Sequence, residues 1–302
     1  MRTLSSHASG LFLSFALLAG SAVAQTINTF SNFSSISGPG GVTLNGNAAV
    51  VGSGASAVLR LTPAAANQAG SAFSNSSLTL WGFSTSFQFR ITSNPAGKTY
   101  LDSSGAAKAG DGFAFVLRAD TESGVPLGAS GGQLGYGNGT MGLNSIAFVF
   151  DTWKNADLGD PSNNFIGIVS GGVLHNGSLP TANIAGDFTD GSLWTAWIDF
   201  VDGGTNVEMR VGQGARPISP DLTYAQGILG NSWGVYAGFT GGTGGNYAAQ
   251  DIEKWTFGDV GVNGGVTAGL AAIPEPANFG ILGGLAALGC VALRRRRAKS
   301  AA

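Results

Sequence analysis

Short runs that alternate apolar and polar residues, or are wholly apolar, fill the interior of this 302-residue chain, with Gly, Asn, Ser or Pro between them. No long stretch has helical periodicity. That pattern constrains the fold more than any other feature, because a strand period of two cannot be satisfied by a helix. The predicted strands are Val42–Leu44, Ala57–Leu61, Gly82–Ile91, Gly112–Arg118, Ser145–Thr152, Phe165–Val169, Leu193–Phe200, Asn206–Val211, Trp233–Phe239 and Gln250–Gly258. The expected fold class is all-β, with two stacked antiparallel sheets. Phe83, Phe87 and Phe89, with Trp194 and Trp197, are the expected core aromatics. The 50 glycines fit a chain with many turns, and the 43% hydrophobic content is too high for a disordered one.

Both ends look like addressing segments. Met1–Ala24 has a basic residue, an apolar stretch over Leu11–Leu18 and small residues at Ala22-Val23-Ala24, the make-up of a secretory signal peptide cut by signal peptidase before Gln25. At the other end Pro274-Glu275-Pro276 precedes the apolar run Phe279–Leu293 and then Arg294-Arg295-Arg296-Arg297. These three parts together resemble the PEP-CTERM sorting signal. The resemblance implies a helix transiently anchored in the inner membrane, its arginines held in the cytoplasm, and cleavage by an exosortase. The expected organisation is then a signal peptide over 1–24, a sandwich domain over 25–260, a small-residue linker over 261–272 and a sorting signal over 273–302. Export to the cell envelope or beyond follows. Cys290 is the single cysteine, so no disulfide closes within the chain. Between the two end segments, nine Lys and Arg stand against sixteen Asp and Glu, with the basic residues scattered singly. Nucleic acid is not expected as a partner.

The chemistry concentrates in Phe148-Val149-Phe150-Asp151-Thr152-Trp153-Lys154-Asn155-Ala156-Asp157-Leu158-Gly159-Asp160-Pro161, followed by Phe165-Ile166-Gly167-Ile168. A strand delivers Asp151 to its end, and a Gly- and Pro-containing loop carries Asn155 and Asp160. Hard cations take several oxygen ligands, and carboxylates, an amide and a backbone carbonyl supply them. On spacing alone, a solvated turn with Asx caps fits the same residues.

This stretch resembles the metal-binding loop of the legume-type (L-type) lectins. The resemblance implies a concanavalin A-like jelly-roll sandwich and one Ca²⁺, held by Asp151, the Trp153 carbonyl, Asn155 and Asp160. The family's Glu and His ligands for Mn²⁺ are replaced by Val149 and Phe165, which cannot ligate, so that second ion is expected to be lost. Further matches extend the likeness over residues 26–258. Asp111-Gly112-Phe113-Ala114-Phe115-Val116-Leu117 is similar to the family's D-G strand, in which the Asp, often after a cis peptide, accepts sugar hydroxyls. Gly131-Gly132-Gln133-Leu134-Gly135 is similar to the G-x-x-L-G loop whose glycine N–H donates to sugar. Gly70-Ser71-Ala72-Phe73, Phe83–Phe89, Gly238-Phe239-Thr240 and Trp255-Thr256-Phe257 match further family elements. The implied carbohydrate-binding residues are Asp111, Gly132, Trp153 and Asn155, with the Trp153 ring stacked on the sugar and the Asn155 amide donating to it. Specificity is expected to depend on loop lengths and side chains around Gly241–Asn246. Monomer and homodimer both stay open, although legume lectins commonly pair through their flat back sheet.

The implied function is an exported, calcium-dependent lectin for exopolysaccharide or surface glycans. A structural matrix protein on the same fold is the alternative, and a glycoside hydrolase a weaker one. A hydrolase needs two carboxylates flanking the scissile bond. The glutamates are Glu122, Glu208, Glu253 and Glu275, and none lies in an E-x-D-x-E strand. His175 is the one histidine beyond the N-terminal segment, and it reads as a solvent-exposed loop residue. Ser-His-Asp catalysis has little to draw on, so no enzyme activity is expected.

Overall fold

The computed structural model describes residues 27–79, 83–93, 97–174, 180–201, 206–225 and 234–259. The expected signal peptide, linker and sorting signal, and His175, lie outside the described residues.

Two eight-stranded antiparallel sheets face each other. The back sheet runs β14 (Leu222–Ala225), β13 (Asn206–Gly212), β12 (Trp194–Val201), β7 (Phe83–Ser93), β16 (Ala248–Asp259), β4 (Val58–Thr62) and β3 (Ala49–Val51). β16 is divided between two neighbours along one of its edges. Its first half pairs β4, and its second half pairs β1 (Ile27–Phe30), with Ile27 opposite Gly258. Register shifts at Gln250/Asp251 and Ile252/Lys254 accompany this division. The front sheet runs β11 (Thr181–Asn183), β10 (Phe165–Ser170), β9 (Ser145–Asp151), β8 (Gly112–Ala119), β15 (Gly234–Gly242), β5 (Ala69–Ser74) and β2 (Val42–Gly46), with β6 (Leu78–Thr79) on the start of β15.

Alternation decides which side chains meet between the sheets. From the back sheet come Leu59, Leu61, Phe87, Phe89, Ala196, Ile198, Trp255 and Phe257, and from the front Phe113, Phe115, Phe148, Phe150 and Phe239. Phe113 and Phe150 stack across the β8–β9 pair with ring centroids 4.7 Å apart. Phe87 meets both edge to face, at 6.2 and 5.5 Å. Such aromatic pairs add about 0.5–1.5 kcal/mol each beyond the area they bury.

The front sheet is covered on its other face as well. Ala114, Val116, Ala147, Val149, Phe165 and Val169 pack there against Leu134, Tyr136, Met141 and Leu174 from the overlying loops. This second core is why β8 and β9 are buried at every residue and read as nearly continuous apolar runs rather than alternating ones. Arg118 enters this layer, donating from Nε to the Met141 carbonyl at 2.9 Å and from Nη2 to the Ser123 carbonyl.

Each of the ten expected strands overlaps an observed one, with no end shifted by more than three residues. The expectation for Trp197 needs correction. Trp194, Ala196 and Ile198 point inward, so the alternation turns Trp197 to the outer face, where it is half-buried. That face is polar and its charges pair within the chain: Arg60 with Asp251 at 2.7 Å, Arg90 with Glu253 at 2.8 Å, and Arg210 with Glu208 at 2.7 Å and Asp199 at 3.3 Å.

Candidate functional site

Asp111 and Asp151 meet because β8 and β9 are neighbours in register. Gly112 lies opposite Asp151, which puts one carboxylate just before β8 and the other at the end of β9. The Gly110–Asp111 peptide is cis, at the position the lectin resemblance indicated. The Asp111 N–H donates to the Gly242 carbonyl at 3.2 Å, and the Asp111 carbonyl accepts from Thr152 N–H at 2.9 Å. Thr152 Oγ1 donates to the Ala109 carbonyl at 3.0 Å. Gly112 has φ +133°, and a Cβ there would collide with the Phe150 carbonyl oxygen and approach the Asp151 Cα to 3.1 Å. Only glycine meets both conditions.

After Asp151 the chain folds back on itself. Trp153 N–H donates to Asp151 Oδ1 at 3.0 Å and Asn155 N–H to Asp160 Oδ2 at 2.7 Å, while Asp160 N–H returns a bond to the Asn155 carbonyl at 3.2 Å. Asp160 is thereby held close to Asp151. Asp111, Asp151 and Asp160 are all buried, at 5%, 0% and 5% exposure.

The electrostatics of this group are one-sided. Asp111 Oδ2, Asp151 Oδ2 and Asn155 Oδ1 are buried oxygens with no hydrogen-bond donor from the protein. Burial, and then the charge of Asp160 with a smaller contribution from Asp111, holds the Asp151 carboxyl well above the usual carboxylate range. Burial pushes Asp111 up to about 7, against the N–H of Gly244, and Asp160 adds to the rise. Asp160 is also raised to about 7, by burial and by Asp157, with the Asn155 N–H and then Lys154 opposing. Buried acceptor oxygens facing one another without donors are costly unless a cation joins them. Among the described residues no three His, Cys, Asp or Glu side chains gather as ligands of one metal ion. The donor set on offer is two carboxylates, one amide oxygen and a backbone carbonyl, which suits a hard, oxygen-seeking cation.

The remaining residues singled out in the sequence come to the same place. Gly132 lies in a 3-10 turn, Gly131–Gln133, tied to the next loop by Gly131 N–H donating to the Thr243 carbonyl at 3.0 Å. A Cβ on Gly132 would come within 2.9 Å of Asn155 Oδ1 and 3.1 Å of Nδ2, so its backbone lies directly against that amide. Trp153 is half-buried and packs over Gly110, where a Cβ would be 3.3 Å from its own Cβ. Gly244 stands against Asp111 in the same way, at 3.0 Å from Oδ2. Asp111, Gly132, Trp153 and Asn155 therefore share one site, built by four loops at the ends of front-sheet strands.

Val149 and Phe165 are fully buried in the second core, and neither presents a donor atom. The described glutamates lie elsewhere. Glu122 Oε1 accepts from Asn144 N–H at 2.9 Å, and Glu208 and Glu253 pair with arginines of the back sheet. Asp102 escaped the sequence reading, and Asn246 entered it only as the end of the segment Gly241–Asn246. Asn246 is buried, its Oδ1 accepting from Thr99 and Tyr100 N–H at 3.0 and 2.9 Å and its Nδ2 donating to the Tyr100 and Lys108 carbonyls at 2.8 and 2.7 Å. Asp102, also buried, accepts from Ser104 N–H, Ser104 Oγ and Ala106 N–H at 2.6–3.0 Å and from Asn163 Nδ2 at 2.9 Å. These bonds draw its carboxyl below its ordinary value even though burial opposes them.

The fold is a two-sheet sandwich with a loop-built candidate site at one end of its front sheet. The family model of the legume lectin domain matches residues 26–267. The chain is 32% identical over 225 residues to the L-type lectin-domain containing receptor kinase VIII.1 of Arabidopsis thaliana, an overlap of 72% of this chain and 28% of the kinase. It is 31% identical over 189 residues to Agglutinin-2 of Cladrastis kentukea, covering 60% of this chain and 61% of the agglutinin. The chain thus spans about a quarter of the first relative and about three fifths of the second. Among solved structures, a lectin from Bauhinia forficata in complex with GalNAc superposes with a TM-score of 0.63 at 22% identity, over 80% of this chain and all of that one. Basic winged bean lectin with Tn-antigen gives 0.60 at 22% identity, over 78% and 98%. The chain belongs to the legume lectin domain family.

Proposed function

We propose that the protein is a calcium-dependent lectin whose glycan site is formed by Asp111, Gly132, Trp153 and Asn155. The observation that carries this is the convergence of those four residues beside buried carboxylate and amide oxygens that lack protein donors. A sugar presents vicinal hydroxyls that donate and accept, and C–H faces that are apolar. Asp111 accepts from hydroxyls, the Gly132 N–H and the Asn155 amide N–H donate to them, and the half-exposed Trp153 ring covers a C–H face. Asp151, Asp160, Asn155 Oδ1 and the Trp153 carbonyl would hold Ca²⁺. When bound, the ion neutralises the buried carboxylates and fixes the loop. Val149 and Phe165 leave no ligands for a second, Mn²⁺-type ion in those two positions.

The test is retention of the chain on a glycan array, in calcium and again in excess chelator, beside Asp111→Asn. The variant keeps the shape of the side chain and removes its charge. It is expected to lose binding at least about thirtyfold, the size of a lost hydrogen bond to a charged group, while its circular dichroism stays unchanged. A folded wild-type chain that retains no glycan would sink this reading.

The proposal includes the ends of the chain. Met1–Ala24 and the segment 273–302 are read as export and sorting signals, which place the mature lectin in the envelope or outside the cell, on exopolysaccharide or surface glycans. The mature protein is then expected to begin at Gln25 and to lack the basic tail, as mass spectrometry of the envelope and medium would show. Recovery of the intact chain from the cytoplasm contradicts it.

A further inference from the structure

Thr99–Ala106 forms a loop that runs between the two walls of the site. At one end Asn246 grips Thr99 and Tyr100 by three backbone hydrogen bonds. At the other, Ser103 donates from N–H and Oγ to the Lys154 carbonyl at 3.3 and 2.8 Å, and buried Asp102 holds Asn163. Lys154 and Asn163 belong to the loop region of Trp153, Asn155 and Asp160, whereas Asn246 follows Gly244, whose N–H opposes the rise in the Asp111 carboxyl.

Between these anchor points the loop holds Tyr100 and Leu101 in solvent, at 60% and 66% exposure. Single exposed apolar side chains are ordinary on a protein surface. This pair differs because the backbone that carries it is held by hydrogen bonds at both ends of the loop. The Tyr100 ring lies along the glycine run: a Cβ on Gly245 would approach Tyr100 Cε2 to 2.9 Å and Cδ2 to 3.1 Å. Gly245 is next to Gly244, which stands 3.0 Å from Asp111 Oδ2 by the same measure. Trp153 packs over Gly110, the residue before Asp111. The two aromatic side chains thus lie against backbone next to Asp111, Trp153 on Gly110 and Tyr100 on Gly245.

We infer that the site takes a glycan chain rather than a single sugar, with Tyr100 as the platform for the unit next to the one bound at Asp111. This inference rests on the glycan reading of Asp111 and Trp153. A ring fixed before the ligand arrives binds without the entropy cost of ordering a loop, and its π face suits the C–H face of a pyranose.

Calorimetric titration of the full chain in calcium tests it, with glucose, mannose, galactose and N-acetylglucosamine and their α- and β-linked di- and trisaccharides as probes. For a sugar that binds, the wild type is expected to hold the longer probe about tenfold tighter than the monosaccharide. Tyr100→Ala should remove that gain and leave monosaccharide affinity unchanged, and Tyr100→Phe should keep it. Equal affinity of the wild type for all lengths, a gain that survives in Tyr100→Ala, or an equal loss for monosaccharide and trisaccharide would each overturn the role of Tyr100. If the wild type binds no probe of any length, the glycan reading fails and this inference with it.

Discussion

Asp151→Asn is expected to change the sign of its effect on stability with calcium. In millimolar calcium the variant should melt below the wild type, and in excess chelator it should melt above it. The reason lies in the two roles of the carboxylate. Asp151 is fully buried beside Asp160 and Asp111, and protein charges alone leave it destabilised by desolvation and by like charge. Neutralising it relieves that cost, since Asn keeps the shape and the acceptor for Trp153 N–H. A bound cation inverts the balance, because the same charge is then a ligand. Calcium at a hundred times its Kd adds about 2.7 kcal/mol to the wild type, and about 1 kcal/mol moves the melting point of a domain this large by roughly 2–4 °C. The expected separation between calcium and chelator is therefore roughly 5–10 °C for the wild type and close to zero for Asp151→Asn. Paired thermal melts at constant ionic strength supply the measurement. A variant that is less stable than the wild type under both conditions would mean that Asp151 serves packing alone.

Gly112→Val should cost more than about 4 kcal/mol, among the largest single effects available in the chain. Two penalties add there. The φ of +133° excludes a β-branched residue, and the new Cβ would run into the Phe150 carbonyl, whose ring is the stacked partner of Phe113. Relief requires β8 and β9 to separate at their site end, which moves Asp111 and Asp151 apart. Urea unfolding would read the stability loss, and calcium titration of the folded fraction would read the displacement. A cost below 1 kcal/mol would show that the strand ends yield more readily than their hydrogen bonds suggest.

The site was legible in the sequence to the extent that its residues are local. Asp151, Asn155 and Asp160 sit on one loop, so their spacing alone shows that they can meet. Asp111 and Gly132 come from distant segments, and only the likeness to a family with the same strand and loop patterns pointed them toward that loop. Tyr100 and Asp102 had no such guide, and Asn246 was marked only as the end of the segment Gly241–Asn246. Their roles rest on hydrogen bonds between distant segments, 146 residues apart for Tyr100 N–H to Asn246 and 61 for Asn163 to Asp102, and such pairing has no period to detect. The fold shows the same division. Long strands with a clear period were found. β5, with the sequence Ala-Gly-Ser-Ala-Phe-Ser, has few residues that favour a strand and is one because it lies between β15 and β2. β3, β11 and β14 are peripheral strands of three or four residues, too short to show alternation. The long segment between β8 and β9 carries Gly132, but Leu134, Tyr136 and Met141 make most of its contribution a second core.

The division of β16 between β4 and β1 bears on when this molecule can acquire its shape. The last described strand is also an inner member of the back sheet, with β7 along one side and the first described strand along part of the other. Until Asp259 has left the ribosome, β7 lacks a neighbour on that side, β1 lacks the strand it pairs with, and Phe115 and Phe239 have no Trp255 to pack against. Pairings across 155 residues or more, as between β7 and β16, carry a loop-closure cost and form late. A nascent chain of this design stays open through almost the whole of its synthesis, and its sandwich closes in a single late step.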